Sequence, residues 1–245
     1  MISKKKASLI RALQQKKYRY QYKRFLVEGA KSVQELLQST LQVELLLYTD
    51  AFSVQGNRPE TEMILVSTAE LNRLGTFKHN NAALAVVVMP EPENLPVAHH
   101  EFALVLDEVR DPGNLGTMIR IADWYGIHKM ICAATCADCY NPKVINSSMG
   151  SFTRVSIQYT SLPEYLHHTR LPVYGAFMEG QPVHNVRFPK GGLLVMGNES
   201  HGVNHELTPY ISHKIAIPSY GHAESLNVAV ATAIICDNIR RTNGP

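Results

Sequence analysis

Apolar positions fall into short runs separated by polar spacers of helical period, and this alternation continues along most of the chain. Residues 25–29, FLVEG, read as a strand entering a turn, and 30–38 carry Val33, Leu36 and Leu37 on one helical face. Runs at 43–48 and 63–66 read as strands, with a loop at 51–59 that contains Gly56-Asn57 and Pro59. Ser67 is placed to cap a helix reaching Leu74, and 83–89 is the last strand of this first α/β module. Upstream, the spacing of Ile10 and Leu13 predicts a helix over 3–15. The stretch PEPENLP, 90–96, has three prolines, which disfavour helix and central strand alike, so it reads as a linker.

The second module repeats the pattern. Strands are predicted at 102–107, 129–133, 153–158 and 172–177, and helices at 115–125 and 162–169. Asn141-Pro142 supplies a cap and a first-turn proline for a helix to Met149. Apolar runs at 193–196 and 215–217 each end in a small-residue loop, with a helix expected near 203–211 between them. Runs this short and apolar read as buried parallel strands. The two adjacent strand-end loops, Gly197-Asn198-Glu199-Ser200 and Pro218 to Asn227, form a cradle of backbone amides and small polar groups. Ser225 is expected to cap a long last helix over 226–241, with Asn227 inside its first turn. The fold class that follows is α/β, a parallel sheet with helices on both faces, with boundaries at 1–90, a linker at 91–100, and 101–245.

Charge changes the picture at one end. Residues 1–24 hold nine basic residues and no acid, while the other fifteen face all 21 acids, so this segment is +9 and the remainder −6. Tyr18, Tyr20 and Tyr22 are interleaved with the basic positions, an arrangement that suits phosphates and unpaired bases as well as it suits a solvated helix. The chain lacks an apolar run long enough for a bilayer, and its start shows no signal-peptide pattern, so a cytoplasmic location without membrane contact is expected. Cys136 and Cys139 make one CxxC with no second pair, and the histidines at 201, 205 and 222 do not converge by spacing, so no metal is expected.

A dinucleotide fingerprint and a Walker A loop are both absent. Three other segments stand in order: LDEVRDPGNLGTMIRIADWYGI at 106–127, LLVMGNESHGVN at 193–204, and IAIPSYGHAESLNVAVATAI at 215–234. Together with SSMGSFTRV at 147–155 they resemble the motifs of the SpoU (TrmH-like) family of RNA ribose 2′-O-methyltransferases, of the SPOUT class. Within that family they are most similar to the subgroup acting on guanosine in 23S rRNA. FLVEGAKSVQELL at 25–37 resembles the family's L30e-like RNA-binding module.

The resemblance implies a C-terminal trefoil knot, a homodimer with active sites at its interface, and S-adenosylmethionine (AdoMet) as methyl donor. It implies cofactor contacts at Gly197, Ile217 and Leu226, with Pro218, Ser225 and Asn227 close by, and catalytic roles for Arg120, Asn114 and Glu199. A guanidinium remains protonated, so Arg120 fits a phosphate clamp or an alkoxide stabiliser better than a base. Asn114 also fits a helix cap, and Glu199 fits the orienting of Arg120 or of the ribose. The implied substrate is structured RNA, ribosomal before transfer RNA. A non-catalytic RNA-binding factor on the same fold, and a base-nitrogen methylase, are the competing readings.

Overall fold

The computed structural model describes residues 2–54 and 58–243, so the Gly56-Asn57 turn lies outside the described residues. The chain forms two compact units: Met1–Glu91 with Asp138–Thr153, and Pro92–Ala137 with Arg154–Pro245.

The first unit is built on a four-stranded sheet in the order β1-β4-β2-β3. The strands are β1 (Arg24–Glu28), β2 (Val43–Tyr48), β3 (Glu62–Leu65) and β4 (Ala83–Val88). β4 is antiparallel to both β1 and β2, whereas β2 and β3 run parallel. The period of two sorts the side chains. Phe25, Val27, Ala85 and Val87 pack with Val33 and Leu36 of α3 (Ala30–Gln38) and with Ile145 of α6 (Pro142–Ser148). Leu26, Leu84 and Val86 pack instead with Ile10 and Leu13 of α1 (Lys4–Leu13) and Leu71 and Leu74 of α4 (Thr68–Leu74). Ser67 caps α4 as its sequence predicts, accepting from the Glu70 N–H.

One element departs from the sequence reading. A second helix, α2 (Lys16–Tyr22), follows α1 and ends at Lys23, whose φ of 53° is left-handed. It has no apolar stripe; its buried residue is Arg19.

The second unit carries a six-stranded sheet, β10-β8-β9-β5-β6-β7, parallel throughout. Its strands are β5 (Phe102–Leu106), β6 (Lys129–Ala133), β7 (Ser156–Thr160), β8 (Val173–Pro182), β9 (Gly192–Met196) and β10 (His213–Ala216). Ala103, Val105, Ile131 and Val195 face Leu162 and Leu166 of α7 (Leu162–His168). Leu104, Leu106, Met130 and Met196 alternate with them and are equally buried, so both faces are covered. α5 (Pro112–Trp124) and α8 (Val228–Asn243) pack against each other.

In the sheet β8 lies between β9 and β10. Three local expectations are corrected. The stretch expected to be helical at 203–211 is a 3-10 turn, His205–Tyr210, since Pro209 lacks the N–H an α-helix needs. The strand expected from 153 begins at Ser156, after a 3-10 turn at Ser151–Thr153. The last helix starts at Val228 and is capped by Asn227, not Ser225: the Asn227 Oδ1 accepts from the N–H groups of Ala229 and Val230 at 3.0 and 3.3 Å.

Candidate active site

The site is assembled where the strands of the second unit end. β5 and β9 pair in register up to Leu106 and Met196, and the Asp107 N–H extends the ladder to the Met196 carbonyl. Beyond them the two chain segments are tied together. The Asn198 Nδ2 donates to the Glu108 carbonyl at 2.9 Å, and the Asn204 N–H donates to the Asp107 Oδ2 at 2.6 Å. The loop between is folded back on itself by reciprocal backbone bonds between Asn198 and Gly202. Gly197 is required there, since a Cβ on it would lie 2.2 Å from the Gly202 carbonyl carbon and the Val203 nitrogen.

Asp107 is buried, and that burial pushes its carboxyl above the ordinary range, opposed by the bond from Asn204. Glu108 beside it holds a positive φ of 58° and meets Arg110 at 3.0 Å and His201 at 3.3 Å.

α5 opens with Asp111 as its cap, the Asp111 Oδ1 accepting from the Asn114 N–H at 2.8 Å. Asn114 therefore is not the cap its sequence position allowed, and its side chain is free for other partners. The Asn114 Nδ2 donates to the Glu199 Oε1 at 2.8 Å, and the Asn114 Oδ1 accepts from the Asn227 Nδ2 at 3.0 Å. One residue from each of the three sequence motifs thus joins a single chain of hydrogen bonds. Asn227 at its far end is anchored to α8, and Glu199 at its near end keeps acceptor capacity.

Next to this chain lies a cavity of about 810 Å³. Gly197, Glu199, Ile217, Pro218, Ser225 and Leu226 line it, and Asn227 stands between two lining residues, Leu226 and Val228. Its inner wall is apolar, from Met196, Ile215 and Ile235, and its rim carries the carboxylates of Glu179, Glu199 and Glu224. Although β9 and β10 are separated in the sheet, their loops share this cavity because β8 runs on beneath them. The β8–β10 register breaks between Lys214 and Ile215, and residues 176–179 of β8 loop out to form a wall. Gly180 permits this, since a Cβ there would meet the Lys214 carbonyl oxygen at 2.7 Å.

Arg120 stands apart from this group. It is exposed on α5, makes no hydrogen bond or ion pair among the described residues, and does not line the cavity. Six residues beyond Asn114, it is displaced about 9 Å along the helix and about 120° around it. Glu199 engages Asn114, so it does not orient Arg120 within the chain. Asp107, Asn198 and Asn204 were not singled out in the sequence. An acid directly after five apolar strand residues was the available signal for Asp107; the β8 wall left none.

No cluster of three metal-binding side chains occurs among the described residues. None of their helices is long and apolar enough to cross a membrane.

Residues 101–237 match the SpoU rRNA Methylase family and residues 5–85 match the MRM3-like substrate binding domain. The chain belongs to the SpoU rRNA methylase family, as the three motifs indicated. The 23S rRNA (guanosine(2553)-2′-O)-methyltransferase RlmP of Bacillus subtilis is 34% identical over 233 residues, spanning 93% of each chain. The SpoU methyltransferase AviRb of Streptomyces viridochromogenes, solved in complex with the cofactor AdoMet, is 27% identical and superposes with a TM-score of 0.86 over 98% of each chain. An AdoMet-bound rRNA methyltransferase from Sinorhizobium meliloti is 26% identical, with a TM-score of 0.87 over 98% of this chain and 96% of that one.

Proposed function

We propose that the protein transfers a methyl group from AdoMet to a ribose 2′-hydroxyl of ribosomal RNA. The observation that carries this reading is the hydrogen-bonded chain Glu199–Asn114–Asn227 at the edge of a cavity lined by the second and third motifs. The cavity fits the cofactor by its chemistry: an apolar inner wall suits an adenine ring, and the rim carboxylates suit a sulfonium and an ammonium. Gly197, Ile217 and Leu226 would hold it, with Pro218, Ser225 and Asn227 alongside. When bound, AdoMet supplies a methyl group on a cationic sulfur.

The protein's own residues align and polarise the ribose. Asn114 has a single amide orientation that serves both partners, so Glu199 is held at a fixed place with its second oxygen available to the 2′-hydroxyl. Arg120, always cationic, holds the phosphate beside the target ribose or offsets charge developing on the oxygen.

Within one chain Arg120 is turned away from the Asn114 side of α5 and does not line the cavity, and on that ground we read the protein as a homodimer in which Arg120 serves the other copy's site. Trp124, four residues on and on the same face of α5, is 82% exposed, which suits an interface anchor. The knot belongs to the same reading: the chain leaves β10 at the sheet edge and returns as α8 to pack on α5, which follows the central β5. Residues 1–90 then act as the RNA-capturing module and 101–245 as the transferring one, in keeping with the two matched segments.

Incubation with labelled AdoMet and unmodified ribosomal RNA, followed by nucleoside mass spectrometry, tests the reading. A 2′-O-methylnucleoside is expected, absent with Arg120→Ala while AdoMet still binds by calorimetry. A methylated base would overturn the chemistry, and AdoMet binding lost in the wild type would leave an RNA-binding factor.

A further inference from the structure

The basic N-terminal segment is only partly consumed by the fold. Three of its cations are paired: Lys6 with Glu62, Arg24 with Glu44, and Arg19 with Asp138. The other six, Lys4, Lys5, Arg11, Lys16, Lys17 and Lys23, are exposed and unpaired among the described residues.

Arg19 explains why α2 exists at all. It donates through Nε and Nη2 to the Asp138 Oδ2 at 3.1 and 2.6 Å, and through Nη1 to the carbonyls of Leu13 and Gln14. Both side chains of the ion pair are almost wholly buried. With Arg19 turned inward and the Tyr20 hydroxyl donating to the Asp138 Oδ1 at 3.2 Å, Lys16, Lys17, Gln21 and Tyr22 are left exposed and Tyr18 half-buried. Its outer surface holds Tyr18 and Tyr22, one turn apart, with rings stacked at 6.2 Å and 16°. Lys17 lies 5.7 Å from the Tyr18 ring and Lys16 lies 5.8 Å from the Tyr20 ring. Tyr22 is 44% exposed, a large aromatic left in water beside unpaired cations.

We infer that the outer face of α2 is a stacking platform for unpaired bases of RNA, with Tyr18 and Tyr22 meeting the bases and Lys16 and Lys17 meeting the flanking phosphates. Near-parallel rings, one of them 44% exposed, suit bases of any identity, and the two neighbouring lysines suit the backbone that carries them. The charge complement selects RNA: the segment has no acid to repel a phosphate chain and no exposed aliphatic stripe to seat a helix. The biological target rests on the methyltransferase reading above; the binding itself does not.

Binding of the full-length protein to a fluorescent oligouridylate, without AdoMet, is the test. Replacing Tyr18 and Tyr22 by Leu should weaken it roughly tenfold or more, since base–aromatic stacking contributes on that scale. Replacement by Phe should leave it within about twofold, because the ring is kept. Lys16→Gln with Lys17→Gln should flatten the slope of log affinity against log salt by about 1.4, from about 0.7 per phosphate contact on a single strand. The inference is overturned if the wild type does not bind the oligonucleotide, if the Leu and wild-type chains bind alike, or if Phe fails as badly as Leu. It is also overturned if polyglutamate competes as well as the RNA, which would make the face a site for acidic protein. Wild-type methyl transfer, measured separately, distinguishes failure here from failure of the proposed reaction.

Discussion

At the scale of single residues, the site is held by fixed amides with a buried carboxyl behind them. Asn114 is satisfied on both sides by Glu199 and Asn227, so Asn114→Ala removes two side-chain bonds at once. Glu199 and Asn227 are exposed and Asn114 is half-buried, and stability should fall by no more than about 1 kcal/mol. Methyl transfer should instead fall by about 100-fold or more, as loss of a positioned polar group does; single-turnover kinetics against urea titration separates the two. Asp107 makes a different prediction. Burial raises its carboxyl, and the groups around it are Glu108, His201 and Glu206 with the Asn204 N–H. A carboxyl raised in the folded state binds its proton more tightly there than in the unfolded chain. Its stabilising contribution is therefore complete below the unfolded value and is lost as pH rises through the folded one. Urea midpoints of wild type should fall relative to Asp107→Asn across that window. A gap that does not vary with pH would show that Asp107 ionises as an ordinary surface acid does.

At the scale of elements, what was legible in the sequence is what period and capping encode. β2 and β6 appear at the expected residues because they are short, nearly continuous apolar runs, α3 because Val33, Leu36 and Leu37 keep the helical period, and α4 and α6 begin at Ser67 and Asn141 because those side chains accept first-turn N–H groups. Asn114, Glu199 and Asn227 were legible as motif residues, but not their meeting in one chain of hydrogen bonds. Illegible features depend on partners far along the chain. α2 lacks an apolar stripe because a charge holds it, and that charge finds its acid 119 residues away. The cap of α8 moved from Ser225 to Asn227 because both were chemically able, and only tertiary position decides. The β8 wall exists because a register break ejects it. The Arg19–Asp138 pair yields a sharp test. Arg19→Met leaves a buried carboxylate without its cation and should cost about 3–5 kcal/mol in urea unfolding. Adding Asp138→Asn should restore more than half of that, since the remaining amide still accepts from Tyr20 and the Tyr140 N–H. No recovery in the double variant would mean that Arg19 acts through its bonds to the Leu13 and Gln14 carbonyls.

At the scale of the whole molecule, the decisive question is where Arg120 works. Within one chain it is exposed and turned away from the Asn114 side of α5, beside an exposed Trp124 that a monomer gains nothing by leaving in water. A two-fold symmetric pair using this face would bury the indole and offer each Arg120 to the other copy's site. Trp124→Glu should then yield monomers in sedimentation velocity and abolish methyl transfer while AdoMet binding persists. Complementation is more discriminating. Arg120→Ala and Asn114→Ala are each expected to be inactive as homodimers. If the site is shared, a mixed dimer has one site with both residues intact and one with neither. Unfolding and refolding an equimolar mixture gives half mixed dimers, so about a quarter of wild-type activity should return. If Arg120 serves its own chain, every site in the mixture lacks one residue and no activity returns. The two arrangements differ in topology rather than in affinity, so a single mixing experiment separates them.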